Sequence, residues 1–504
     1  MNNANNIIPL FVIIPLLGAF LISLIGKFVK RIWVDILSGV SCFLLLSLSI
    51  FGLNILRNSA SPVLVYKVGG WAVPFGICMV LDGLSGLMLL TVNIVAFFVS
   101  VYSINYMEKY TDKPKFYTLF MLMLTGMNGL VITGDLFNLF VFLEIASIAS
   151  YALVAFGTEA EELEASFKYA IMGSVASSFI FVGIAFLYGF TSTLNMADIA
   201  RVLSTKPGLW LTPFVAVLFL MGFGLKAALV PFHAWLPDAH PSAPASISAM
   251  LSGVLIKTLG IYALVRVFFN IIGMTGAYSS VLMFLGAISM LVGVILALSQ
   301  WDLKRLLAYH SISQVGYIIL GFGLATPLGI LGGLFHLFNH SIFKSLLFLN
   351  SGAIDYATGT RNLQEMSGLG KKMPVTANTN LIASMSIAGI PPFNGFFSKL
   401  IIILACIEKG HIGYALAAVI GSILTLASFM KVQKYAFLGE LKEKYRNIKE
   451  APSMMKFAMI GLAVICVLGG LMLLPGLKFL LINAMDVLLQ GRGYADTVLG
   501  IAAK

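Results

Sequence analysis

Apolar runs of about 20 residues recur along this whole chain, and they limit its fold more than any other feature. A helix rises about 1.5 Å per residue, so such a run matches the roughly 30 Å hydrocarbon core of a bilayer. Composition agrees: of 504 residues, 59% are hydrophobic and 11% charged, against roughly 25% charged in soluble domains. No long polar stretch is present to build a soluble domain. The predicted fold class is an all-α polytopic membrane protein, with residues 1–504 as a single transmembrane domain. Fourteen spans are predicted, near 7–26, 33–53, 79–103, 116–133, 136–156, 168–190, 211–230, 245–270, 276–299, 306–322, 327–349, 379–405, 411–433 and 456–480. Asn2 to Asn6 carry no charge and 7–26 is long enough to span, so a membrane helix is expected there rather than a cleaved signal.

The basic residues set the orientation. With the N-terminus outside, the inward loops hold 19 Lys and Arg and the outward segments hold 8. That bias predicts a multi-pass protein of the cell membrane with both termini outside. It also accounts for the net charge of +11, because cytoplasmic loops face anionic lipid. A nucleic-acid partner is not needed to explain it. The four cysteines, Cys42, Cys78, Cys406 and Cys466, are widely separated. They form no spacing for zinc, haem or an iron–sulfur cluster, and inert buried thiols are expected. Walker and GxGxxG motifs are absent, so no metal, nucleotide or other cofactor is expected and ATP is not the driver.

Apart from lysines at the very ends of spans, such as Lys431, five cations fall within spans: Lys226, Lys257, Arg266, Lys344 and Lys399. Glu144 is the clearest acidic companion. Insertion scales put the cost of each such group at about 2.5–3.5 kcal/mol at mid-bilayer. Arg266 is near a helix end and is expected to snorkel. Lys257 is near mid-span, where snorkelling is harder. Pro231 and Pro237 interrupt the stretch 211–240, and Pro391-Pro392 interrupts 379–405. Broken helices survive in lipid only where protein or a water-filled cavity satisfies the freed backbone groups, and they mark transport sites. Lys226 lies five residues before Pro231 and Lys399 seven after Pro392. Both breaks therefore carry a nearby lysine.

In FHLFNHSIFKSLLFL (335–349), His336, His340 and Lys344 follow one another at intervals of four. That spacing places them on one helix face. Histidine exchanges protons near neutral pH, and a desolvated lysine can join that range. Three such groups in register suggest a proton path. The bland alternative is hydrogen bonding to backbone or to Asn339. Metal ligation is a third reading, since His-x3-His is a ligand spacing, but no nearby carboxylate or cysteine completes a site. Asp135, Asp82 and His310 can lie at channel mouths or can cap helices and satisfy backbone groups. The acidic stretch EAEELEA (159–165) reads as a solvated helix face, or as a docking segment for a partner.

The blocks 116–270 (helices 4–8) and 276–433 (helices 9–13) each hold five spans with the fourth broken. The fifth carries Lys257 in one and Lys431 in the other. An odd number of spans inserts successive blocks with opposite topology, which predicts an inverted repeat.

The stretch FGLKAALVPFHAWLPDAHPSAPASISAMLSGVLIKTLGIYAL (223–264) resembles the signature of the antiporter-like membrane subunits. This family is shared by Mrp-type Na+/H+ antiporters, membrane-bound hydrogenases and the proton-pumping subunits of respiratory complex I, the NADH-quinone oxidoreductase. WDLKRLLAYHSISQVGY (301–317), FHLFNHSIFKSLLFLNSGAI (335–354) and IAGIPPFNGFFSKL (387–400) match it in order. The resemblance implies fourteen helices, two inverted five-helix repeats and breaks in the seventh and twelfth. It also implies roles. Glu144 pairs with Lys226, Lys257 passes charge to the centre, and His336, His340 and Lys344 connect to Lys399. A proton moves along this mid-membrane axis as the ion pair opens and closes.

Lys399 disfavours the complex I branch that carries a glutamate in its twelfth helix. The short stretch after the last span disfavours the branch with a long lateral helix. The motif wording leans towards the D-type component of Mrp antiporters or its hydrogenase counterpart, with the N-type component of complex I third. Expected partners are other membrane subunits and either H+ alone or H+ exchanged against Na+ elsewhere in the complex. A self-sufficient solute symporter and a purely structural scaffold are the competing classes. A string of charges across several helices argues against a single substrate pocket, and the energetic cost of those charges argues against a scaffold.

Overall fold

The structure, a computed structural model, describes residues 3–59, 62–110, 112–206 and 210–500. Among these it is a helical bundle with one two-stranded hairpin. The helices in chain order are α1 (Leu10–Ile25), α2 (Arg31–Asn58), α3 (Gly83–Tyr106), α4 (Lys113–Ile132), α5 (Leu136–Val154), α6 (Ala160–Thr191), α7 (Met196–Thr205), α8 (Leu211–Lys226) and α9 (Leu236–Ser242). They continue with α10 (Ala245–Ile272), α11 (Gly276–Leu298), α12 (Leu303–Gly323), α13 (Pro327–Thr358), α14 (Pro374–Ala388), α15 (Asn394–Glu408), α16 (Ile412–Val432), α17 (Ser453–Leu468), α18 (Pro475–Leu489) and α19 (Tyr494–Leu499). Eleven helices among the described residues are long and apolar enough to cross a membrane. α8 is apolar but shorter, α14 and α15 are two short pieces, and α13 carries His336, Asn339, His340 and Lys344.

β1 (Leu64–Lys67) and β2 (Cys78–Leu81) pair antiparallel, Leu64 opposite Leu81 and Lys67 opposite Cys78. Met79 then bridges to Thr133 at the end of α4. The span expected at 79–103 therefore begins at Gly83, where Asp82 and Ser85 form a reciprocal cap. The span expected at 456–480 resolves into α17 and α18, because Pro475 starts a new helix at its first position.

Burial separates the core helices from the rim. α10 is buried through its whole apolar window and α12 through 94% of its own, whereas α6 and α16 bury 39% and 33%. Every residue of α13 from Gly329 to Ile354 is buried. The titratable stripe thus lies on a stretch of helix that is enclosed throughout. Close approach helps enclose it: a Cβ on Gly316 of α12 would collide with the Met290 backbone nitrogen of α11. Small residues allow such contacts between membrane helices.

Both breaks are satisfied by protein. α8 ends at Lys226, and the Leu225 carbonyl accepts from the indole of Trp235 at 3.0 Å and from the Ala228 amide at 3.1 Å. The Val230 amide donates to Ser289 of α11 at 3.0 Å. α14 ends on Gly389 in the left-handed region, φ +82, and Lys399 donates to the Ile387 carbonyl at 2.8 Å. Each break contains a Pro-Phe-polar run, Pro231-Phe232-His233 and Pro392-Phe393-Asn394. These partners fulfil the rule that irregular backbone at membrane depth must be met internally.

Two turns share one design. Asp135 caps α5 and bridges to Asn195, which follows α6. Asp302 caps α12 and bridges to Asn362, which follows α13. Each residue of the second pair lies 167 positions after its counterpart, and α6 and α13 are both 32 residues long.

Candidate ion-translocation axis

At one edge, Asp135 accepts from the Asn138 amide at 2.8 Å and starts α5. Glu144 follows on the face turned to α6, where the Ser177 hydroxyl donates to its carboxylate. Lys226, the last residue of α8, reaches in from the break. Its Nζ is 3.8 Å from Glu144 Oε1, with the lysine side chain 4% and the glutamate 29% exposed. The same Nζ donates to Ser147 at 3.0 Å and Tyr151 at 3.3 Å. The ion pair is therefore loose, because two hydroxyls share the ammonium.

Lys257 occupies the middle of the enclosed α10, fully buried. The helix is wound there in wide π turns over Leu251–Leu255 and Lys257–Tyr262, and Lys257 donates back to the Ser252 carbonyl. Wide turns of this kind free backbone carbonyls and often occur at functional sites. Ser252 in turn bonds Ser311 of α12 at 2.6 Å. Lys344 Nζ and both ring nitrogens of His340 are buried without a hydrogen-bond partner among the described residues. Lys344 Nζ sits 5.6 Å over the Phe348 ring.

The His336 and His340 rings stack 6.2 Å apart at 15°. His336 spans two helices: Nδ1 meets Ser398 of α15 at 2.9 Å and Nε2 meets Gln314 of α12 at 3.2 Å. One residue beyond Ser398, Lys399 lies 4.6 Å over the Tyr317 ring and lines a cavity of about 240 Å³ between α15 and α16. The stripe thus connects through Ser398 to the second break.

The other sequence candidates lie elsewhere. Asp135 is a helix cap and 9% exposed. Asp82 is likewise a cap, and its carboxylate pairs with Arg266 at 2.8 Å. Arg266 does not snorkel. It is 4% exposed and held between Asp82, Tyr262 and the ring of Tyr494. A carboxylate at the start of α3 is a better partner than the distant headgroups. His310 is fully buried and meets Ser428 at 2.8 Å. The acidic stretch at 159–165 is the capped first turn of α6, with Glu164 paired to Lys168 at 2.7 Å.

Three features escaped sequence reasoning. His240 is fully buried with both nitrogens unpartnered, 4.9 Å from the Phe348 ring that Lys344 also covers. Lys304, assigned to a loop, is 3% exposed and donates to the Ala243 carbonyl at 2.8 Å. Lys113, also assigned to a loop, is fully buried between Asp35 at 3.0 Å and Glu108 at 2.6 Å. A histidine inside the quoted AHPSAP motif was the available signal for the first. Nothing local signals the other two.

The family model for the transmembrane region of NADH:quinone oxidoreductase and Mrp antiporter subunits matches residues 133–425, which hold every member of this axis. The chain belongs to that antiporter-like family. A second model, the N-terminus of complex I chain 5, matches residues 66–117. Among family members, the D-type component of the Na(+)/H(+) antiporter of Alkalihalophilus pseudofirmus is 36% identical over 98% of this chain and 99% of its own. The N-type component of the NADH-quinone oxidoreductase of Desulforudis audaxviator is 40% identical over 75% and 76%. One chain of the Mrp complex from Dietzia sp. DQ12-45-1b superposes with a TM-score of 0.91, at 30% identity and 99% and 100% coverage. The family assignment read from the sequence motifs is borne out by these matches.

Proposed function

We propose that this chain is a proton-translocating, antiporter-like subunit of a multisubunit membrane complex. One observation carries the reading: buried Lys and His groups are strung between the two helix breaks, with a single loose ion pair at one end. The order is Glu144, Lys226, Lys257, then Lys344, His340 and His336, then Lys399. His240, beside Lys344, extends the set towards the α9 end of the bundle. A carboxylate close to an ammonium favours its charged form. Separation of Glu144 from Lys226 would favour release of the proton inward, and the hydroxyls of Ser147 and Tyr151 would hold the ammonium during that movement. The groups would titrate as a set.

The same reading takes α8 with α9, α13, and α14 with α15 as three further spans, fourteen in all. The matched turns at Asp135/Asn195 and Asp302/Asn362 support the repeats 116–270 and 276–433. Opposite topology is supported by Asp238, which pairs with Lys168 near the start of α6 at 3.3 Å and with Arg305 near the start of α12 at 3.4 Å. α5 runs antiparallel to α6, so α5 and α12 point opposite ways. The basic-residue bias supports both termini outside. The full-length likeness to the D-type component of an antiporter favours an Mrp-type host, and the N-type component of an oxidoreductase is the alternative. Expected partners are the neighbouring membrane subunits of such a complex.

Transport in inverted vesicles holding the assembled complex tests this. Glu144→Ala, Lys226→Ala and Lys399→Ala should each abolish proton movement at unchanged assembly. Transport persisting in all three would return the lysines to a structural role.

A further inference from the structure

The loops at one end of the bundle frame an open cavity of about 650 Å³ that the axis does not use. It is lined by Lys409 and Arg492, by the hydroxyl-bearing Thr212, Thr275, Tyr278 and Ser279, and on its remaining wall by apolar side chains such as Phe269 and Leu488. No aspartate or glutamate lines it among the described residues. Arg492 donates to the carbonyls of Leu203, Ile271 and Ile272. Lys409 donates to the Leu324 carbonyl at 2.6 Å and to Ser279 at 3.4 Å. These acceptors position the two cations and leave their charge uncompensated. An ammonium has three donors and a guanidinium five, so both keep N–H groups to spare. Gly273, at φ +84, lets the guanidinium rest on the 271–273 backbone, since a Cβ there would lie 3.0 Å from Arg492 Nε.

Paired cations with hydroxyls recognise a phosphate-type anion. Free phosphate would leave most of the space and its apolar wall unused. The cavity is also at the ends of membrane helices, the depth of lipid headgroups. We propose that it binds the phosphodiester headgroup of an anionic phospholipid, with the glycerol and first acyl carbons against the apolar wall. Two of the few basic residues expected on the outward side thus meet in one pocket, whereas Arg201 pairs with Asp198 at 2.6 Å.

The test uses the full chain, delipidated in detergent and titrated with phosphatidylglycerol, phosphatidylcholine or inorganic phosphate. Thermal stability and bound lipid by native mass spectrometry are the readouts. Phosphatidylglycerol should bind and raise the melting temperature. Its apparent affinity should fall about fivefold for each of Lys409→Gln and Arg492→Gln, as expected for one cation near a charged headgroup. Lys478→Gln, which removes an exposed cation from α18 outside the pocket, should leave binding unchanged. An equal response in all variants overturns the site. An equal response to inorganic phosphate, or to phosphatidylcholine, overturns the anionic-lipid assignment. If Arg492→Gln fails to fold, Lys409→Gln with Thr212→Val provides the same comparison.

Discussion

A buried ion pair far from the axis shows how single residues hold this bundle. Arg266 and Asp82 meet at 2.8 Å with both side chains nearly inaccessible. Removing one partner leaves the other charged, buried and unmatched, which costs about 3–5 kcal/mol. Arg266→Met should therefore lower thermal stability strongly, and Arg266→Met with Asp82→Leu should recover part of the loss. Unfolding of the detergent-solubilised chain measures this. Lys113 with Asp35 and Glu108 follows the same logic at the other end of α3. These clusters were illegible in the sequence because their members are far apart in the chain. Arg266 and Asp82 are separated by 184 residues, Lys113 and Asp35 by 78. The stripe on α13 was legible because one helix supplies the register. Its partners Gln314, Ser398 and Tyr317 come from other helices and left no local trace.

At the scale of elements, each break depends on a side chain that covers freed backbone. Trp235→Phe keeps an aromatic ring but removes one of the donors to the Leu225 carbonyl, which the Ala228 amide also meets, so the loss is one hydrogen bond, about 0.5–1.5 kcal/mol. That variant should assemble poorly or melt earlier, and should shift Lys226, the residue after Leu225. Replacing Gly316 by Leu should prevent α11 and α12 from packing, seen as loss of folded protein in gel filtration. Proline punctuation made both breaks visible in the sequence, because proline removes an amide donor and clashes with the preceding turn. The β1–β2 hairpin stayed invisible. Its strands are four residues each, too short for alternation to register, and the third span was read through the second strand as though helical.

For the whole molecule, the proposed opposite insertion of the two five-helix blocks makes a prediction about sides. Ser192 and Gly359 follow α6 and α13 at equivalent turns and are both exposed. The native cysteines are all buried, so background labelling should be low. Cysteines placed at Ser192 and Gly359 should react with impermeant maleimide from opposite faces of intact vesicles. Reaction from one face would overturn the inverted arrangement.

Glu144 is the most exposed residue of the proposed axis, its side chain 29% exposed beside Ser177 of α6. A carboxylate facing hydrocarbon is costly, so the rim there needs protein against it. Seen as wiring, the proposed path would have an uninsulated terminal: its conductor would run inward from Glu144, and its return contact would belong to a neighbour. Insulation at that junction then decides whether the current is useful, and a chain stripped of its neighbour would be a wire with one bare end.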